Sequence, residues 1–140
     1  MKSKSLLTGG ILSVIAALLH IAIIFGGAQW YRFFGAGEHM ASMAEKGSLM
    51  PAVITAGIAV VLFIWGLYAF SGAGLIRRFP FMRICLALIS IIYLVRGLVL
   101  IPACFIAPEQ INTFAIWSSL ICLGYGLLYA IGTKTVWRLI

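Results

Sequence analysis

Two ionisable side chains, His20 and Arg96, stand inside long apolar stretches of this sequence. Placing such a group in a hydrocarbon interior costs roughly 3 kcal/mol or more on insertion scales, so it normally faces protein and holds a partner. Arg96 stays protonated at any accessible pH and has only donors to offer. Three outcomes are open for it: an ion pair with a carboxylate of the same chain, extension of the guanidinium to the headgroups, or a site for an anionic ligand, ion or lipid. His20 is open between a hydrogen-bonded packing residue and a proton-sensitive one. Thr55, Tyr93, Ser118 and Ser119 bring hydroxyls to comparable depths on their own stretches. Glu38 and Glu45, a helical heptad apart, are the carboxylates nearest Arg96 in depth. The expected polar or ligand-binding set is therefore His20, Glu38, Glu45, Thr55, Tyr93, Arg96 and Ser118.

Other chemistries find little support. No nucleophile is spaced beside a base, so no catalytic residue is assigned and enzymatic activity is not favoured. Cys85, Cys104 and Cys122 are dispersed without a C-x-x-C, and His20 and His39 are the only histidines, which argues against zinc, dithiol chemistry or any cofactor. The cysteines read as small packing residues. A net charge of +7 invites nucleic acid, but the basic residues sit in short clusters between apolar runs with no interleaved stacking aromatics. No nucleic-acid partner is expected.

The elements that must position these side chains are helices in a bilayer. Of the 140 residues, 64% are hydrophobic and 9% charged, a composition that a soluble fold of this size could not bury. Runs of about 20 apolar residues cross a hydrocarbon core of about 30 Å. Four such runs occur, at about 6–28, 51–71, 84–103 and 111–132, in one membrane domain covering 1–140. Backbone groups in lipid must bond within their own segment, which predicts an all-α four-helix bundle. Lys2 and Lys4 ahead of the first run resemble a signal peptide, but the run exceeds the usual 7–15 residue apolar region, so it is expected to be retained as a helix.

The 29–50 connection is long, and long connections in small proteins are usually functional. Trp30, Tyr31, Phe33 and Phe34 suit a headgroup boundary as interfacial anchors. Glu38 to Lys46 reads as a short interfacial helix ended by Gly47, with Met40, Met43 and Ala44 on one face and Glu38, Ser42 and Glu45 on another. It is open between a surface helix with solvated carboxylates and a lid whose acidic face turns to the bundle. Ser118, Cys122, Gly126 and Ala130 form a small-residue stripe for tight helix contact, either within the bundle or to a homo-oligomer or membrane partner. The interior polar groups are expected in the outer half of the membrane, with the inner half packed and basic at its rim.

These features suggest an integral protein of a bacterial inner membrane that binds or transports a small ligand, ion or lipid; the alternative is a structural or accessory subunit. Lys2, Lys4, Arg77, Arg78, Arg83, Lys134 and Arg138 fall on one side and Arg32 and Lys46 on the other. The positive-inside rule then puts both termini in the cytoplasm. A fluorescent protein fused after Ile140 should therefore glow in bacterial cells, and an alkaline phosphatase fused there should be inactive. The opposite pair of results would invert the topology.

Overall fold

Backbone amides that cannot reach water bond along their own segment, and each long apolar run closes into a helix. The computed structural model describes residues 4–33, 38–111, 113–138 and 140. In chain order its elements are α1 (Lys4–Gly26), α2 (Ala28–Phe33), α3 (Glu38–Glu45), α4 (Met50–Gly72), α5 (Met82–Leu98), α6 (Leu100–Ile106), a 3-10 turn at Pro108–Gln110 and α7 (Thr113–Val136). Helices α1 and α4 have 23 residues each. At the helical rise that is about 34 Å, enough to cross a bilayer core. With Met82–Ile106 and Ala115–Val136 they make four spans. Most of their exposed positions are apolar, Phe25 and Phe105 being 87% and 84% accessible. Such surface aggregates in water and is solvated by lipid. The chain is a four-span, all-helical integral membrane protein, as its run lengths predict, with short helices between the first two spans.

Two compact units make up the chain, Met1–Ser13 with Trp65–Ile140, and Val14–Ile64. In the first, small residues let backbones approach. A Cβ added at Gly132 would lie 2.5 Å from Leu6 Cγ, and one at Gly72 would lie 2.9 Å from Leu86 Cδ1 and 3.1 Å from Leu6 Cδ1. Leu6, fully buried, thus binds the start of α1 to the ends of α4 and α7. A second close seam joins α5 to α7. A Cβ at Gly97 would stand 2.6 Å from the Leu123 backbone nitrogen, and one at Gly126 would stand 2.7 Å from Leu94 Cγ. The third span breaks at Val99 into α5 and α6. Pro102 is the cause, because it offers no N–H to the Leu98 carbonyl four residues earlier and its ring crowds that oxygen.

The connection after α4 is held against the helix that precedes it. Gly74 adopts φ 83°, and Leu75 N–H reaches back to the Phe70 carbonyl at 2.9 Å, a Schellman ending. Ser71 Oγ donates to the Arg77 carbonyl at 2.7 Å and accepts from Phe79 N–H at 3.0 Å. Tyr68 donates to the Pro80 carbonyl and stacks edge-on with Phe79.

In the Val14–Ile64 unit, α3 lies on α2. Ile23, Tyr31 and Ala41 form a buried cluster flanked by Ala28, Met40 and Ala44, so the apolar face of α3 rests on protein. Its C-terminus is capped as the sequence suggests: Gly47 has φ 79° and Ser48 N–H bonds the Met43 carbonyl.

Because the Gly97 contact is to backbone, the helices must separate to admit a methyl group. Gly97→Ala should cost about 1–3 kcal/mol, read as a lower unfolding midpoint in detergent micelles. Gly124→Ala, where a Cβ meets nothing within 4 Å, should be neutral or slightly stabilising. Equal responses from the two variants would refute the close α5–α7 approach.

Candidate functional site

A serine at mid-helix in a lipid-embedded protein must find a partner for its hydroxyl. Ser13 of α1, fully buried, finds two: Tyr93 OH of α5 at 2.8 Å and Tyr129 OH of α7 at 2.9 Å. The proton directions follow from the donor inventory. Tyr129 has one hydroxyl proton and gives it to the Trp65 carbonyl of α4 at 2.9 Å, since a carbonyl can only accept. Ser13 must then donate to Tyr129, and Tyr93 must donate to Ser13. A one-way chain results, Tyr93 to Ser13 to Tyr129 to the Trp65 carbonyl, linking four helices within the first unit. Tyr125 adds a bond to the Leu12 carbonyl at 3.1 Å.

Ring packing locks this junction. Tyr93 meets Trp65 edge-on at a centroid distance of 5.0 Å, Tyr125 edge-on at 5.4 Å, and Tyr129 at 5.4 Å with a 45° tilt. Such pairs contribute about 0.5–1.5 kcal/mol each beyond the area they bury.

One turn further along α5 is Arg96. Its Nη1 donates to Ser119 Oγ and its Nη2 to Ser118 Oγ, both at 3.2 Å. Ser119 is buried, whereas Arg96 itself is exposed. The Arg96 backbone is roughly ten residues, about 15 Å of helix, before Ile106, and its guanidinium reaches serines in the second turn of α7. Both acceptors are neutral. The only acid in this unit is Glu109, and among the described residues it forms no ion pair with Arg96. The fork is therefore oriented by hydroxyls, and among the described residues of this unit no carboxylate pairs with it.

Of the residues expected in one polar set, the structure joins Arg96 to Ser118, with Tyr93 one turn away. His20 bonds its own helix, Nδ1 to the Ala16 carbonyl at 2.7 Å, so Nδ1 carries a proton. Thr55 is buried on α4. Glu45 pairs with Arg32 at 2.6 Å on an exposed face, an interaction worth about 0–1 kcal/mol. The Glu38 carboxylate and Phe34 lie outside the described residues. Trp30 and Phe33 are exposed, but Tyr31, grouped with them as an anchor, is 2% accessible because α3 covers it. Along the α7 stripe Gly126 receives Leu94, while Cys122 and Ala130 are half-buried.

The sequence reading missed the Ser13–Tyr129 junction. Tyr125 and Tyr129 stand one turn apart on α7, the spacing that could have paired them with Tyr93. The expected polar asymmetry also needs correction: Ser13, Ser71, Ser90 and Thr133 are all buried on the basic-end side of Arg96. Helix interiors hide serine and threonine well by bonding their hydroxyls to the preceding turn, as Ser90 does to the Leu86 carbonyl at 2.8 Å. Among the described residues no three His, Cys, Asp or Glu side chains converge to hold a metal. No protein-family model, curated protein or solved structure matches this chain.

Ser13→Ala removes both central bonds and leaves Tyr93 without its acceptor. Interhelical bonds in membranes average about 0.6 kcal/mol, with a maximum near 1.7, so a loss of about 1–2 kcal/mol is expected in a micelle unfolding titration. Tyr125→Phe, which loses one peripheral bond, should cost less. The reverse order would show that Ser13 is not the hub.

Proposed function

We propose that the protein binds, and through binding carries or senses, a small anionic group at Arg96. The observation that supports this reading is a guanidinium between two spans, held by two neutral hydroxyls in a unit whose single acid, among the described residues, does not pair with it. A planar fork with unused donors recognises carboxylate or phosphate oxygens in a bidentate manner. Ser118 and Ser119 fix its direction. An accessory role through the α7 stripe gains less support, because Gly126 is already filled by Leu94 of the same chain.

The basic end of the unit, with Arg77, Arg78, Arg83, Lys134 and Arg138, is the cytoplasmic end in this reading. The site of Arg96 is then in the outer half of a bacterial inner membrane.

Purified protein in an uncharged detergent should be stabilised by at least one member of a series of inorganic phosphate, sulfate, short carboxylates and anionic lipids. A ligand at a hundred times its Kd adds about 2.7 kcal/mol, which a thermal scan resolves. Arg96→Gln should abolish that increment, and Arg96→Lys, which keeps the charge without the fork, should reduce it. A wild-type midpoint unmoved by every member of the series would sink the proposal.

A further inference from the structure

At the basic end of the Met1–Ser13 and Trp65–Ile140 unit, α5 and α7 part after their close seam. The groove left between them has a volume of about 480 Å³. Its floor is aliphatic, from Ala87, Ile91, Leu94 and Ala130, and its mouth is cationic, from Lys134 and Arg138. Trp137 stands at the same mouth with the Arg83 guanidinium 5.2 Å from its ring centroid. Along α7 the lining changes from Ala130 to Lys134, Trp137 and Arg138, apolar first and then aromatic and cationic, as a phospholipid changes from acyl chain to headgroup.

Two further observations favour an anionic occupant. Arg32 and Lys46 are balanced in number by Glu38 and Glu45, so the Val14–Ile64 unit is neutral and the whole net charge of +7 belongs to the unit with the groove. That unit has a single acid, Glu109, in the α6–α7 connection and so at the opposite end of α7 from Lys134 and Arg138. Separately, Thr133 lines the groove, and its Oγ1 is the one buried side-chain polar atom without a hydrogen-bond partner among the described residues. An unsatisfied hydroxyl costs about 1–3 kcal/mol. Helical threonine populates two χ1 rotamers, and a turn about χ1 offers this hydroxyl to a headgroup oxygen.

We propose that this groove binds one anionic phospholipid, its phosphate between Lys134 and Arg138 and one acyl chain along Ala87, Ile91 and Ala130. The site is separate from Arg96 and does not depend on the reading given for that residue.

Native mass spectrometry of the purified full chain, with equal amounts of phosphatidylglycerol and phosphatidylcholine of matched chains, tests this directly. Wild type should retain one phosphatidylglycerol at least tenfold over phosphatidylcholine. Lys134→Gln with Arg138→Gln should remove the preference, and Lys46→Gln in the other unit should keep it. Ala87→Phe, which fills the floor and leaves every charge in place, should lower retention of both lipids and guards against misfolding of the double variant. Inorganic phosphate in excess should leave the lipid bound. Equal retention of the two lipids by wild type, an unchanged preference in the double variant, displacement by phosphate, or a dimer that excludes lipid would each overturn the proposal.

Discussion

A hydroxyl in a bundle surrounded by hydrocarbon has no water to turn to, and the Ser13 junction meets that constraint with one continuous chain of donors. Four helices contribute to it: Ser13 from α1, the Trp65 carbonyl from α4, Tyr93 from α5 and Tyr129 from α7. Because each proton has a single acceptor, the helices cannot slide by a turn without orphaning at least two groups. Leu6 stands seven residues before Ser13, two turns away on the same face, and fits the notch made by Gly72 and Gly132. Polar and steric contacts therefore fix one axial register between them. Each hydrogen bond is worth little alone, about 0.6 kcal/mol in membranes. The junction sets alignment more than depth of stability.

The spans and their ends could be read because they depend on local quantities. Run length gives a helix that crosses the bilayer, Gly47 ends a short helix, and the apolar face of α3 follows from spacing along the chain. The pairing of Arg96 with the α7 serines was likewise within reach, since depth along antiparallel helices can be counted. The aromatic junction could not be found that way. Tyrosine and serine blend into an apolar run, and which of several tyrosines meets Ser13 depends on helix rotation, which hydropathy does not encode. Tyr31 misled for the same reason: a ring beside Trp30 and Phe33 suits a headgroup belt until α3 is laid over it.

The α5–α7 seam shows how residue size divides one interface into a tight half and an open half. Where glycine meets leucine, at Gly97 with Leu123 and Gly126 with Leu94, the backbones nearly touch. Towards the basic end the facing residues are Ala87, Ser90, Ala130 and Thr133. These are too large for the close approach and too small to fill the widening gap. A tight half therefore holds the Tyr93 and Arg96 side chains in place, and an open half forms a groove.

The placement of Arg83 bears on what faces that groove. Arg83 lies in the first turn of α5, where the helix dipole is positive and a cation loses about 0.3–1 kcal/mol. Lys134, in the last turn of α7, gains a similar amount from the opposite pole. Helix stability alone accounts for Lys134 and opposes Arg83. The ring of Trp137 returns about 0.5–1 kcal/mol to Arg83 at an exposed site, which only restores the balance. Contact with an anionic leaflet would add about 1 kcal/mol for each basic residue near its surface, enough to make the arrangement favourable as a whole. The proposed lipid site would therefore supply the favourable contribution that the helices alone do not.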